Sequence, residues 1–292
     1  MNAYVGFRRL LPVLLLAAAV GGCSLRTTAL RTTAHLLDRG ATAFYEEPDP
    51  VLARETMPGQ LKLLEALLQN GPRNRRLLKA LAEGFAGYAF LFLEDEYPDR
   101  AREFYKRAAG YGLRLLARNK RLAGLDRMQP DDMSRALRSA GRKDVPGLYW
   151  TATAWAGWAN MAKNDAEALA AVPKAVRLMR RVLELEPGYQ FGGPDLFFGV
   201  YYAARPRLAG GDPDKAKAHL DAALARTGRR FLTAQLLAMK YYAVAVLDDA
   251  LFRNLYDEIQ EAPAGGLPAA RLADEVAKIK SKNLMEQIDD LF

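Results

Sequence analysis

Residues 173–187 read PKAVRLMRRVLELEP, an amphipathic segment in which Ala175 is followed at intervals of four residues by Met179 and Leu183, before Pro187. Positions four and eight residues apart lie on one face of an α-helix. A small side chain lets a partner helix come close. Proline ends a helix because it lacks a backbone N–H and its ring clashes with the preceding turn. The segment therefore predicts the second helix of a tetratricopeptide-like helical hairpin.

Three other segments share much of this pattern when they are aligned on one position. They read DRAREFYKRAA around Ala101, DKAKAHLDAALARTG around Ala216 and DALFRNLYDEIQEAP around Leu251. The four aligned positions are separated by 74, 41 and 35 residues, compared with about 34 for a tetratricopeptide repeat. The repeats are therefore degenerate, and the long first interval holds an insertion or a decayed repeat. Residues 118–147 are predicted to be an excursion, that is, an insertion that lies outside the stacked helical hairpins.

The remaining helices follow from the spacing of apolar residues. Between residues 31 and 292 these residues recur at helical intervals, period-two alternation is missing, and Gly or Pro interrupts the pattern every 12 to 20 residues. The predicted fold is an all-α, tetratricopeptide-like solenoid that forms one domain over 31–292, with a C-terminal helix that caps its open end. The first helices of the hairpins are predicted at 75–94, 148–163, 195–204 and 231–247, and the capping helix at 269–290.

Residues 1–22 have the order of a secretory signal peptide. Arg8 and Arg9 supply positive charge, an apolar run occupies 10–20, and two glycines follow. A helical run of this length reaches about 16 Å, roughly half the hydrocarbon thickness of a bilayer. It is too short for a transmembrane anchor, so we expect the segment to be removed.

The sequence Val20-Gly21-Gly22-Cys23 resembles the bacterial lipobox, in which the cysteine takes a diacylglyceryl group. We expect Cys23 to carry diacylglycerol and an acyl chain such as palmitate, with residues 23–30 as a tether. Two or more acyl chains hold a protein stably at a membrane. Ser24, in place of aspartate, resembles an outer-membrane sorting signal. The expected location is the periplasm, with the lipid anchor in the outer membrane.

Composition favours a globular binding protein over an enzyme. The chain is 50% hydrophobic and its charges of both signs are interspersed at a net +8, so we expect a packed core and no nucleic-acid partner. Cys23 is the only cysteine, and the two histidines, His35 and His219, lack metal-ligand spacing. Gly210-Gly211 is not followed by the lysine of a phosphate-binding loop. We expect no catalytic residues, no metal and no cofactor beyond the lipid on Cys23.

Aromatic residues concentrate in two of the predicted first helices. At 100° per residue, Trp150 and Trp155 lie about 140° apart around the helix axis, whereas Trp155 and Trp158 lie about 60° apart, so the rings cannot share one face. Two interpretations remain: the rings fill the core between helices, or the first helices line a groove or channel that holds an apolar solute. The candidate ligand-channel residues are Tyr149, Trp150, Trp155, Trp158, Phe197, Phe198, Tyr201 and Tyr202.

Several separated motifs carry a resemblance to a known family. They are EGFAGYAF at 83–90, GLYWTATAWAGWANMAKND at 147–165, LMRRVLELEPGYQFGG at 178–193, FFGVYYAARPRLAGGDPDKAKAHLDAAL at 197–224 and RLADEVAKIKSKNLMEQIDDLF at 271–292. In this order they resemble the TatT family, the T component of tripartite ATP-independent periplasmic (TRAP) transporters. The similarity covers nearly the whole mature chain.

This resemblance implies a periplasmic, lipid-anchored tetratricopeptide-like protein. It also implies association with a solute-binding P component and a homotrimer with a pore through each protomer. Two functions are compatible with it. One is a transport accessory that binds the P component and channels a hydrophobic or organic-acid solute; the other is a structural adaptor without a small-molecule ligand.

Overall fold

The computed structural model describes residues 42–292. The predicted signal peptide at 1–22, the lipidation site Cys23 and the tether at 23–30 lie outside these residues. Helices and turns account for the ordered elements of the described chain, which contains no β-strand. The prediction of an all-α fold is confirmed.

From Pro50 to the end of the described chain there are twelve α-helices, numbered here in chain order. Short 3₁₀ turns lie between several of them, and α2 and α9 each continue into a wider π-helical turn. The α-helices are α1 Pro50–Asn70, α2 Arg75–Tyr88, α3 Pro98–Leu116, α4 Pro130–Leu137, α5 Val145–Met161, α6 Ala166–Leu185, α7 Tyr189–Ala203, α8 Pro213–Thr227, α9 Leu232–Leu237, α10 Asp249–Glu261, α11 Arg271–Met285 and α12 Ile288–Leu291; the π-helical turns are Ala89–Leu93 and Ala238–Ala243.

Most of the helices begin and end where the sequence signals them. Asp49, Asn74 and Asp165 accept hydrogen bonds from the first free N–H groups of α1, α2 and α6, the usual role of a residue that precedes a helix. Gly228 adopts a left-handed conformation directly after α8, as glycine does at many helix ends. Two helices have features that the sequence does not predict: α7 has left-handed φ values at 190–192, before its regular part, and α9 changes to π-helical geometry at Ala238.

Each long helix packs against the next long helix along the chain, and the two ends of this row meet. The pairs α2–α3, α3–α5, α5–α6 and α7–α8 pack together most extensively, while α4 lies outside the row against α6. The sequence predicts a C-terminal helix over an open end. In the structure α11 contacts α9 and α10 and also touches α1, so the row of helices closes on itself.

A shared carboxylate reinforces this closure. Asp95 follows the π-helical turn after α2, and it pairs with Lys240 of the second π-helical turn at 3.1 Å and with Lys280 of α11. Burial alone would raise the pKa of Asp95, but the two ammonium groups hold it below its ordinary value. Three elements that are distant in sequence are thereby joined at one point.

Residues 118–147, the predicted excursion, are a compact insertion. Two 3₁₀ turns and α4 bury Leu122, Leu125 and Met133 against the body of the protein. Arg181 of α6 donates a hydrogen bond of 2.8 Å to the carbonyl oxygen of Ala140. The insertion is therefore packed on the outer side of α6. Among residues 42–292, none of the helices combines the length and apolar character that crossing a membrane requires.

Close packing of α3 and α5 depends on glycine. A Cβ atom added to Gly112 would lie 3.2 Å from Thr151 Cβ and 3.3 Å from its backbone nitrogen, and closer still to its hydroxyl oxygen. Gly110, on the same helix, is exposed and has nothing within 4 Å of an added Cβ. Two glycines that are two positions apart, on different faces of the helix, thus have opposite surroundings.

We expect Gly112→Ala to lower the free energy of unfolding by about 1–3 kcal/mol, because the new methyl group forces α3 and α5 apart. The matched variant Gly110→Ala should raise it by about 0.5–1 kcal/mol, since alanine restricts the unfolded chain and favours a helix. Urea denaturation followed by circular dichroism measures both changes. Equal effects of the two substitutions would contradict the proposed contact.

Glu65 of α1 ties this helix to α3. Its carboxylate accepts hydrogen bonds from Tyr111 at 2.6 Å, from Lys62 at 2.8 Å and from Arg107. Burial opposes ionisation of Glu65, but these three donors outweigh burial and lower its pKa from 4.5 to about 2. Because the pKa is lower in the folded chain, Glu65 stabilises the fold fully above pH 4.5 and loses this contribution as the pH falls through 2.

We expect Glu65→Gln to reduce the free energy of unfolding at pH 7 by about 2 kcal/mol, after allowance for the solvent exposure of Lys62 and Arg107. The difference from the unmodified protein should shrink below pH 4.5 and vanish near pH 2. Denaturation curves at a series of pH values measure it. Glu55→Gln, an exposed position on the same helix, should change stability by less than about 0.5 kcal/mol throughout.

Candidate functional site

A cavity of about 610 Å³ lies within the closed row of helices. Its wall is formed mainly by α2, α5, α7 and α9, which correspond to the predicted first helices of the four hairpins, with further residues from α1 and α11. Most of the wall is apolar, and a few polar groups lie at separate points on it. A volume and lining of this kind suit an organic molecule.

Four of the eight candidate channel residues line this cavity. They are Tyr149 and Trp150 of α5, and Phe197 and Tyr201 of α7. Phe197 and Tyr201 are one helical turn apart and their rings are stacked, with centroids 6.4 Å apart. Tyr149 and Trp150 meet edge to face at 4.9 Å. The four rings form two aromatic strips on the wall, one on α5 and one on α7.

The other four candidates do not line this cavity. Trp155 and Trp158 are only 5% and 7% exposed, because the helical rotation from Trp150 turns them away from the cavity and into the packing around α5. Phe198 and Tyr202 point to the opposite side of α7, where both rings stack on His219 of α8 at 5.2 and 5.9 Å. These four rings build the core between helices.

None of the candidate residues predicted from the sequence lies on α2, which also contributes to the wall. Gly84, Gly87, Phe90 and Leu91 all line the cavity, and three of them belong to the EGFAGYAF motif at 83–90. An added Cβ on Gly87 would meet nothing within 4 Å, so the glycine leaves space inside the cavity. The signal was present, since small residues recur at three-residue spacing in an otherwise bulky segment.

One polar group on the wall is a nearly buried carboxylate. Glu83 is 8% exposed. Its Oε1 atom accepts hydrogen bonds from the Tyr45 hydroxyl at 2.5 Å and from Gln190 Nε2 at 3.1 Å, and its Oε2 atom lies 3.7 Å from Lys79 Nζ. Burial, together with the negative charge of Glu83, raises the pKa of Tyr189 well above its ordinary value. Glu83 therefore joins α2, α7 and the segment before α1.

The backbone at the start of α7 is strained where it borders the cavity. Gln190 and Phe191 have φ values of 49° and 58°, and Gly192 follows at 88°. The left-handed conformation costs roughly 1–2 kcal/mol for a residue with a side chain. It places Gln190 against Glu83 and the ring of Phe191 4.8 Å from that of Phe231. Such strain is concentrated at functional sites. The strained residues therefore identify this part of the wall as a candidate binding surface.

A second carboxylate, Glu94, lies at another point on the wall. It accepts a hydrogen bond of 2.5 Å from the Tyr105 hydroxyl. Burial raises the pKa of Glu94 above its ordinary value, although Tyr105 and two nearby lysines oppose this effect. Close by, Asn160 donates a hydrogen bond of 3.2 Å to the hydroxyl of Tyr241. This end of the cavity can donate and accept hydrogen bonds.

The polar and apolar groups on the cavity wall are suited to binding an organic ligand. In the part of the chain from 42 to 292, no three histidine, cysteine or acidic residues come close enough to hold a metal ion. The two carboxylates are held by tyrosine, glutamine and lysine partners, and the apolar wall between them has the character of a ligand pocket.

Comparison with known proteins assigns the chain to a family. The chain is 30% identical over 227 residues to an uncharacterized protein of Treponema pallidum (strain Nichols), an alignment that covers 67% of this chain and 70% of that protein. Residues 46–292 match the family described as TRAP transporter T-component. This match includes α1, α2, α5, α7, α9 and α11, which form most of the cavity wall. The resemblance to TatT is confirmed. The chain belongs to the TRAP transporter T-component family, whose members are accessory components of a transport system.

Proposed function

We propose that this protein acts in the periplasm, binds an organic solute in its cavity, and passes the solute to or from the solute-binding P component of a TRAP transporter. The single observation that carries the proposal is the cavity of about 610 Å³, with apolar and aromatic walls, inside a chain of the T-component family. A binding cavity with little catalytic chemistry fits an accessory that holds a solute during transfer.

Several structural features belong to the same proposal. The helical pairs α2–α3, α5–α6, α7–α8 and α9–α10 support the proposed tetratricopeptide-like solenoid. The single domain over 31–292 that the sequence predicts is part of this proposal. After removal of residues 1–22, lipid on Cys23 anchors the protein to the outer membrane through the tether at 23–30. By its family resemblance the protein assembles as a homotrimer with a pore through each protomer.

A fluorescence titration tests solute binding. N-phenyl-1-naphthylamine is uncharged and fluoresces strongly only in apolar surroundings, so binding in the cavity should increase its emission until the sites are saturated at one per chain. Heat-denatured protein and bovine lysozyme serve as controls. An increase that is no larger than that with lysozyme would overturn the proposal that the cavity takes an apolar solute.

Partner binding and anchoring need separate measurements. The immobilised protein should retain the TRAP solute-binding protein of the same organism and should not retain an unrelated periplasmic binding protein. Labelled palmitate should enter the full-length chain and be lost in Cys23→Ala. Retention of neither binding protein, or labelling that persists in the alanine variant, contradicts the corresponding part of the proposal.

A further inference from the structure

Arg205 lies just beyond the last turn of α7 and lines the cavity. Its guanidinium carbon is 4.0 Å from the centroid of the Tyr201 ring, and Nη1 is 3.4 Å from the Tyr201 carbonyl oxygen. Stacking on a tyrosine that itself lines the wall holds the planar guanidinium next to the aromatic strip. Arg205 is half-buried in this position.

The positive charge of Arg205 lacks a balancing carboxylate. Within the described residues 42–292, no aspartate or glutamate oxygen lies within 4 Å of its guanidinium. Arg226, in contrast, pairs with Asp195 at 3.3 Å. Burial lowers the pKa of Arg205 from its ordinary value, as expected for a cation that has lost water without gaining an anion. An unpaired, partly desolvated charge costs free energy.

Other charged groups on the wall are placed differently. Lys79 lies 3.7 Å from Glu83, and Glu94 accepts the Tyr105 hydrogen bond. Lys163 also lines the cavity but is exposed to solvent, where water already stabilises its charge. Arg205 is thus the cation on the wall for which an anionic ligand would compensate the most lost hydration.

We propose that Arg205 binds the carboxylate of an amphipathic organic acid whose apolar body lies along Tyr201, Phe197 and Trp150. This inference rests on the proposed solute-binding function and assigns recognition of the solute's carboxylate to one residue. A guanidinium presents two parallel N–H groups to a carboxylate and forms the strong, charge-assisted pair that an amine cannot reproduce. The Tyr201 ring, with its centroid 4.0 Å from the guanidinium carbon, holds the guanidinium beside the apolar wall.

Displacement of bound N-phenyl-1-naphthylamine by two matched competitors tests the inference. Decanoate carries a carboxylate on an apolar chain, and decanol carries an uncharged hydroxyl on the same chain. Each competitor is titrated into the unmodified protein, into Arg205→Gln and into Arg207→Gln. Arg207 is an exposed arginine two residues away that does not line the cavity, so its variant controls for the loss of one positive charge.

We expect Arg205→Gln to weaken decanoate binding at least about tenfold, the loss typical of a hydrogen bond to a charged group. Decanol and the fluorescent probe should bind as before, within about twofold. Arg207→Gln should leave both competitors unchanged. Circular dichroism checks folding, and the variant should melt no lower than the unmodified protein because an unpaired charge is removed.

The outcomes separate this inference from the proposed function. If the probe and decanol bind but Arg205→Gln leaves decanoate unchanged, solute binding stands and the role of Arg205 is overturned. If neither competitor nor the probe binds the unmodified protein, both proposals fail. Should Arg205→Gln not fold, Arg205→Lys replaces it: a selective loss of decanoate affinity supports the carboxylate pair, and equal losses for decanoate and decanol contradict it.

Discussion

Gly87→Trp is expected to abolish solute binding while the protein remains folded. Gly87 lines the cavity from α2, and nothing lies within 4 Å of an added Cβ, so the indole extends into the space that the solute occupies. We expect the affinity for N-phenyl-1-naphthylamine to fall more than about a hundredfold. The free energy of unfolding should stay the same or rise, because tryptophan favours a helix more than glycine does.

The matched control for this experiment is Gly110→Trp. Gly110 also lies inside a helix with open space around it, but it is exposed and does not line the cavity. The control should bind the probe normally and show the same helical circular dichroism. Full probe binding by folded Gly87→Trp would show that the probe binds outside the cavity, and the assignment of the cavity as the solute site would then be wrong.

The helices could be predicted from sequence because each carries its own local signals. The segment from 173 to 187 has helical periodicity and a terminal proline, and α6 forms there with Asp165 capping its first turn. Asp212 followed by Pro213 begins α8 in the same way. Such signals depend on neighbouring residues only, so they survive without knowledge of the tertiary structure.

The side of α5 and α7 that faces the cavity could not be predicted to the same degree. Periodicity shows that Trp150 and Trp155 face different directions, but both are large and apolar, and either direction could have been the core. The structure buries Trp155 between helices and leaves Trp150 on the wall. The face of a helix that lines the cavity depends on how the helix is rotated about its axis. That rotation is determined by contacts with several other helices.

The polar residues of the site could not be predicted from the sequence, for a different reason. Glu83 and Gln190 are 107 residues apart and meet only when the row of helices closes. Gln190 also needs a left-handed backbone, which a glutamine rarely adopts. Similarly, Asp95 meets Lys280 from 185 residues away. Contacts between distant residues in rare conformations leave no periodic trace in the chain.

We expect Trp155→Ala and Trp150→Ala to separate folding from binding. Trp155 is 5% exposed and packed in the main core cluster, so its truncation leaves a cavity that costs about 3–5 kcal/mol of unfolding free energy. For a protein of this size the melting temperature should fall by roughly 10 °C. At a temperature where the variant is fully folded, its affinity for N-phenyl-1-naphthylamine should change less than about threefold.

Trp150→Ala should show the reverse pattern, because Trp150 is partly exposed to the cavity and contributes one of its aromatic walls. We expect a smaller loss of stability and about tenfold weaker probe binding, the effect of removing one aromatic contact of about 1.5 kcal/mol. Calorimetry measures the first quantity and fluorescence titration the second. If Trp155→Ala weakened binding more than Trp150→Ala in folded protein, the solute would have to contact the opposite face of α5, and the cavity would have to extend beyond the wall described here.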